Sequence, residues 1–166
     1  MKNILLTLIL AVPALAQEAQ TVAVADLKFA VEAPWKAIEP KSAMRKATLQ
    51  HAVAGLETPL EAIFFHFPGG DVQGNVDRWK GQIQGGEAAK IEEVTAGETK
   101  VTFFHAVGTY TDPFGGLGPQ ENYALLGALI PVADSGPVVI KLAGPKDAVA
   151  SIAEAFRKMA TSPFKK

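Results

Sequence analysis

The chain has 166 residues and not one cysteine, yet its first residues read as an export signal. Together these two facts constrain the fold more than any motif does. Lys2, the apolar run 4–12 and the small residues of Ala14-Leu15-Ala16 form the three parts of a cleavable secretory leader. Small exported domains commonly lean on disulfides, so a chain without cysteine must be held by packing alone in either redox environment. Length permits this: 166 residues less the leader of 16 leaves 150, and a domain of that size buries about 70% of the surface of its unfolded chain.

The leader is too short to remain as a span, which needs about 20 apolar residues, and Thr7 and Pro13 interrupt it. With no cysteine after the small residues, a lipid anchor of that kind is excluded. The expectation is a soluble product starting at Gln17, without a transmembrane anchor, in the periplasm or the medium. The formal charge is −1, or −2 once Lys2 is lost, and the two signs are interspersed. No basic field exists for nucleic acid or anionic lipid. The terminal cluster of Arg157, Lys158, Lys165 and Lys166 suits the C-terminal end of a helix.

Residues 17–26 carry little pattern and read as a loose arm or a short edge strand; Leu27–Val31 is the first clear strand. Pro34 and Pro40 argue against regular structure around Trp35, which reads as a plug in the core. Over residues 42–55 an Ala-rich helix competes with a strand, and the alternation of Ala47, Leu49, His51 and Val53 favours the strand. A hairpin then returns through the apolar run 62–67. Asp71 can cap a helix whose stripe is Val72, Val76, Trp79 and Ile83, with Gly85-Gly86 ending it. Strands follow over 89–95 and 100–110, then a long loop over 112–121, then a hairpin of 122–132 and 137–143 around Asp134-Ser135-Gly136. Gly144-Pro145 opens the last helix, with proline in the first turn and Val149, Ile152, Phe156 and Met159 inward. The sum is a single α+β domain, residues 27–166, with a mostly antiparallel sheet of six to seven strands covered by two principal helices.

Several landmarks fall in a recognisable order: Trp35, Met44-Arg45-Lys46-Ala47, Phe64-Phe65-His66-Phe67, Asn75-Val76-Asp77-Arg78-Trp79, Gly108-Thr109-Tyr110, Tyr123 with Leu125-Leu126-Gly127, and Lys141-Leu142-Ala143-Gly144-Pro145. They resemble a family of uncharacterised exported bacterial proteins, and Asn-x-x-Arg-Trp and Lys-Leu-x-Gly-Pro are the most specific pieces. The order of elements is also similar to the α/β/α sandwich of PsbP-like proteins, a group named for a photosystem II accessory protein. The resemblance implies a fold and an accessory or binding role; it brings no catalytic residue and no cofactor. His66 departs from the family's usual aromatic run.

Three histidines, His51, His66 and His105, fall on expected strands and could hold Zn²⁺ or Cu²⁺ if three strands brought their faces together. No local His-x-x-x-His pair supports that. Ser42, Ser135, Ser151 and Ser162 lie outside any Gly-x-Ser-x-Gly elbow, and Gly69-Gly70-Asp71 lacks the Gly-Lys-Ser/Thr ending of a phosphate loop. Glu87, Glu92, Glu93 and Glu98 are interleaved with lysines and read as a solvated face. Asn75, Arg78 and Gln82 are the polar set of most interest, because spacings of three and four place them on one helix stripe beside the apolar one. They suit anion or partner recognition near a helix N-terminus, or a tie between the helix and its neighbours.

These readings converge on an exported, non-catalytic binding or accessory protein without a cofactor, its partner a protein or small ligand of the envelope. The alternative is an envelope metal-binding protein or enzyme using His51, His66 and His105. Intact mass of the exported protein is expected to show loss of residues 1–16; a product retaining them would mean a membrane-held form.

Overall fold

A computed structural model describes residues 20–113, 116 and 118–165. The leader, residues 1–16, lies outside the described residues. β1 (Gln20–Val24) and β2 (Leu27–Val31) form a hairpin of their own, so the segment read as a loose arm is paired from Gln20 onward. Its burial alternates: Val24, Phe29 and Val31 are in the core, which is how a strand with one packed face behaves. Ala25 turns the corner with φ 50°.

The larger sheet is antiparallel throughout and has eight strands, β3 (Trp35–Ile38), β4 (Ala47–His51), β5 (Leu60–His66), β6 (Ile83–Gln84), β7 (Lys90–Ala96), β8 (Thr99–Tyr110), β9 (Gln120–Ile130) and β10 (Val138–Pro145). Their spatial order is β3-β4-β5-β10-β9-β8, with β6 and β7 both on the outer side of β8. This exceeds the six to seven strands expected, for two local reasons. Pro34 and Pro40 flank β3 rather than forbid it, since a proline just outside a strand removes no ladder hydrogen bond. The helical stripe also ends early: Ile83 leaves the helix and joins β6 opposite Tyr110, and Gly85, with φ 74°, takes the left-handed backbone that lets the chain turn out.

Two helices lie on opposite faces. The first, α1 (Val72–Gln82), is capped by Asp71, whose Oδ1 accepts from the Gly74 N–H at 2.7 Å, and it buries Val76 and Trp79. The second, α2 (Lys146–Ala160), buries Val149, Ile152, Phe156 and Met159 as the periodicity requires. Pro145 is the last residue of β10 and stands at the cap position rather than inside the first turn. Along each strand the side chains alternate between these two cores. Val101, Phe103, Leu126, Ala128, Ile140 and Phe64 face α2 and the β1–β2 hairpin, where Phe29 meets Phe64 edge-on at 5.0 Å. Phe104, Leu125, Leu129, Val139 and Phe65 face α1. No helix among the described residues is long and apolar enough to cross a membrane.

The seat of α1 is a dent in the sheet. Gly127 on β9 lies under the Trp79 ring so closely that a Cβ there would stand 2.0 Å from Cζ3; Trp79 also tilts against Phe104, with centroids 5.5 Å apart. Trp79→Ala is expected to cost about 3–5 kcal/mol, and Gly127→Ala about 1–3 kcal/mol through overpacking. Combined, the two should fall short of additivity by at least ~1 kcal/mol, because the alanine methyl enters the space the indole vacates. Urea denaturation of the single and double variants measures this, and strict additivity would show that the indole and Gly127 are not in contact.

Candidate functional site

α1 covers only part of its face of the sheet. Directly opposed residues in a row across that face are Ile63, Lys141, Gly127 and Phe104; Trp79 covers the last two and leaves the first two at the helix margin. There, Ile63, Phe65, Lys141, Ala143, Tyr110 and Tyr123 line a groove of about 620 Å³, bordered by the loop 55–59 and by Lys41 and Arg45. A smaller slot of about 170 Å³ adjoins it against α1. Phe65, Phe67, Trp79 and Val139 supply its apolar wall, Asn75, Arg78 and Gln82 its polar one, and Lys141 borders both spaces.

Lys141 is the one charged side chain that is buried among the described residues, only 9% exposed. The strand that carries it is otherwise apolar, Val138-Val139-Ile140 before it and Leu142-Ala143 after. Its Nζ donates to Gln82 Oε1 at 2.5 Å and lies 5.0 Å from the centroid of the Tyr110 ring, a separation at which the ring's negative face attracts an ammonium. Tyr110 in turn stacks on Tyr123, rings 6.2 Å apart and nearly parallel. Burial drives the Lys141 amine down to about 8; the Asp112 carboxylate pulls it up and the Arg78 guanidinium pushes it down further. Burial, aided by Asp112, pushes the Tyr110 phenol up to about 12.

Across the groove, Glu61 gathers three donors: Lys41 at 2.8 Å, Arg45 at 3.3 Å and Gln50 at 3.3 Å. Burial raises its carboxyl, but the hydrogen bonds of Lys41 and Gln50 and the charges of Lys41 and Arg45 outweigh burial and hold it below the usual range. The rim therefore keeps its charge at neutral pH without leaving it bare.

The structure brings Asn75, Arg78 and Gln82 together on the slot, but with divided roles. Asn75 is buried; its Nδ2 donates to Asp71 O at 2.7 Å, and its Oδ1 accepts from Arg78, so it ties the first turn of the helix. Arg78 is exposed and Gln82 holds the lysine. Asp71 already caps the helix N-terminus at the Gly74 N–H, and what these residues offer an anion is the flank of α1 against β10.

The three histidines share the α2 face and stay apart. His51 packs edge-on against Trp35 at 4.8 Å. His66 Nε2 meets Ser135 Oγ at 2.8 Å, tying the β9–β10 turn to the end of β5. His105 lies beside Lys90 and Arg157, and burial and then those two charges lower its pKa. His51 and His105 are four strands apart, about 19 Å. His66 sits six residues along β5 from Leu60, the residue opposite His51, or about 20 Å away. Among the described residues no three His, Cys, Asp or Glu side chains gather as a metal set. The strands do not converge, so the alternative donor set His51, His66 and His105 is not assembled.

No sequence motif marks Lys141, Tyr110, Tyr123 or Glu61 as site residues. The available signal was the lysine itself, a lone charge inside an apolar strand run.

No family model matches the chain, and no curated protein does. Among solved structures it is similar to the solution structure of cyanobacterial PsbP (CyanoP) from Synechocystis sp. PCC 6803, at 12% identity over 92% of this chain and 95% of that one, with a TM-score of 0.55. The architecture is PsbP-like, and at that identity the likeness concerns the fold alone.

Between the folded value of about 8 for Lys141 and its ordinary 10.5, the unfolded chain binds more protons, so this group makes stability rise with pH over that window and imposes its full cost below it. Tyr110 acts oppositely above pH 10, where its unfolded phenol ionises first. Lys141→Met should therefore stabilise the protein by about 1–3 kcal/mol at pH 7, a gain that shrinks toward pH 10. Urea melts of both proteins at pH 7 and 9.5 test this; a variant less stable than wild type at pH 7 would show that the lysine is a structural strut.

Proposed function

We propose that this chain is an exported binding or accessory module of the bacterial envelope, without catalytic activity, and that its working surface is the groove on the α1 face floored by Lys141. Two helices on opposite faces would make it a single-domain α/β/α sandwich of the PsbP kind that takes in the β1–β2 hairpin from Gln20 onward, with a leader removed after Ala16. The observation that carries the reading is a lysine nine-tenths buried between two open cavities. A buried ammonium opposes folding, and the sheet row it occupies could be filled by an apolar side chain of similar length. Such a charge makes sense where an anionic group enters to meet it. His51, His66 and His105 stand about 20 Å apart, which gives the metal-dependent alternative no support from that trio.

Native mass spectrometry of the protein recovered from the envelope of its own host should show a bound small molecule or partner that is absent from Lys141→Met. Reproducible turnover in a broad hydrolase screen, or a bound species indifferent to Lys141, would overturn the reading.

A further inference from the structure

We propose that the slot between α1 and β10 takes a carboxylate borne by a flat apolar group, with Lys141 and Arg78 holding the carboxylate and Phe65, Phe67 and Val139 receiving the apolar part. This rests on the groove reading above and specifies its ligand. Four features of the slot lead to it.

First, the lysine has donors to spare: an ammonium carries three N–H groups, and among the described residues its one hydrogen bond goes to Gln82. Second, Arg78 is exposed on the rim and gives one nitrogen to Asn75; the rest of its planar fork suits a carboxylate, which it can pair with two parallel hydrogen bonds. Third, the charge is that of a monoanion site. Lys141 and Arg78 carry two positive charges and Asp112, which acts on the lysine, carries one negative, so a phosphate dianion would leave a charge unmatched in a half-buried space. Fourth, the wall is flat and of limited size. Phe65 and Phe67 stack nearly parallel, with centroids 5.9 Å apart at 18°, and Phe67, which lines the slot, remains 41% exposed. The slot measures about 170 Å³, and an apolar cavity of about 150 Å³ takes a benzene-sized ring.

The same chemistry is available from a free aromatic acid and from the C-terminal residue of a polypeptide. 3-Phenylpropionate and the N-acetylated peptide acetyl-Gly-Gly-Phe, each beside its uncharged amide, are the probes, titrated into ¹⁵N-labelled full-length protein and read at the amides of Phe67, Arg78 and Gln82. The acid form of at least one should bind saturably, about tenfold or more tighter than its amide. Whichever acid binds more tightly identifies the source. Lys141→Met, which the charge balance expects to fold well, should weaken that binding about tenfold, and Arg78→Ala, at an exposed position, should weaken it several-fold. Acid and amide binding equally, or undiminished binding by Lys141→Met, would overturn the assignment. If native mass spectrometry finds a Lys141-dependent ligand while neither acid binds, the ligand class is wrong and the groove reading survives.

Discussion

The contact between Trp79 and Gly127 is what the rest of the α1 face depends on. A glycine in mid-strand leaves a notch in the sheet surface, and an indole fills it more closely than any pair with a Cβ between them could manage. Because the indole sits on β9 and reaches Phe104 on β8, the helix is drawn to one half of the sheet. The other half, over β10 and β5, is only partly covered: α1 reaches Val139 and Phe65 but leaves Lys141 and Ile63 at its margin. The groove is thus a consequence of where one glycine lies, and the residue next to that glycine in the sheet row is Lys141.

That neighbour is an odd choice for stability. Removing an ammonium from water costs several kcal/mol before compensation, and the compensation visible here is one hydrogen bond to a side-chain amide, the face of a tyrosine and the field of Asp112. On the other face the positions of comparable depth are filled by Phe103, Leu126 and Leu142, with no such compromise. The asymmetry separates the two halves of the molecule: α2, the β1–β2 hairpin and the apolar face beneath them hold the fold, while the α1 face carries an unoptimised charge beside open space. Proteins tolerate such local conflict where a site needs it.

The disposition of the histidines makes the complementary point. All three lie on the stabilising face, and each has a local explanation: an edge-on contact with Trp35, a hydrogen bond to Ser135, and a half-buried place beside Arg157. Their common face is a result of period-two alternation, and sharing a face says nothing about distance in a sheet of eight strands.

Local order decided much of the fold before any tertiary contact. The stripe Val72, Val76, Trp79, the Asp71 cap, the inward set of α2 and the hairpin around Ser135 could all be read from the sequence, because periodicity and capping depend on residues within a few positions of one another. The trio Asn75, Arg78 and Gln82 was legible for the same reason: helical spacing alone puts them on one stripe. What stood opposite that stripe was not legible. β10 enters the middle of the sheet between β5 and β9, which brings Lys141 against Gln82, 59 positions away, and Tyr110 beneath its ammonium. Strand order is set by which apolar faces pack across long separations, and no local pattern encodes it. Sequence therefore determined the helix face that borders the site; only the tertiary structure supplied the buried lysine that gives that face something to do.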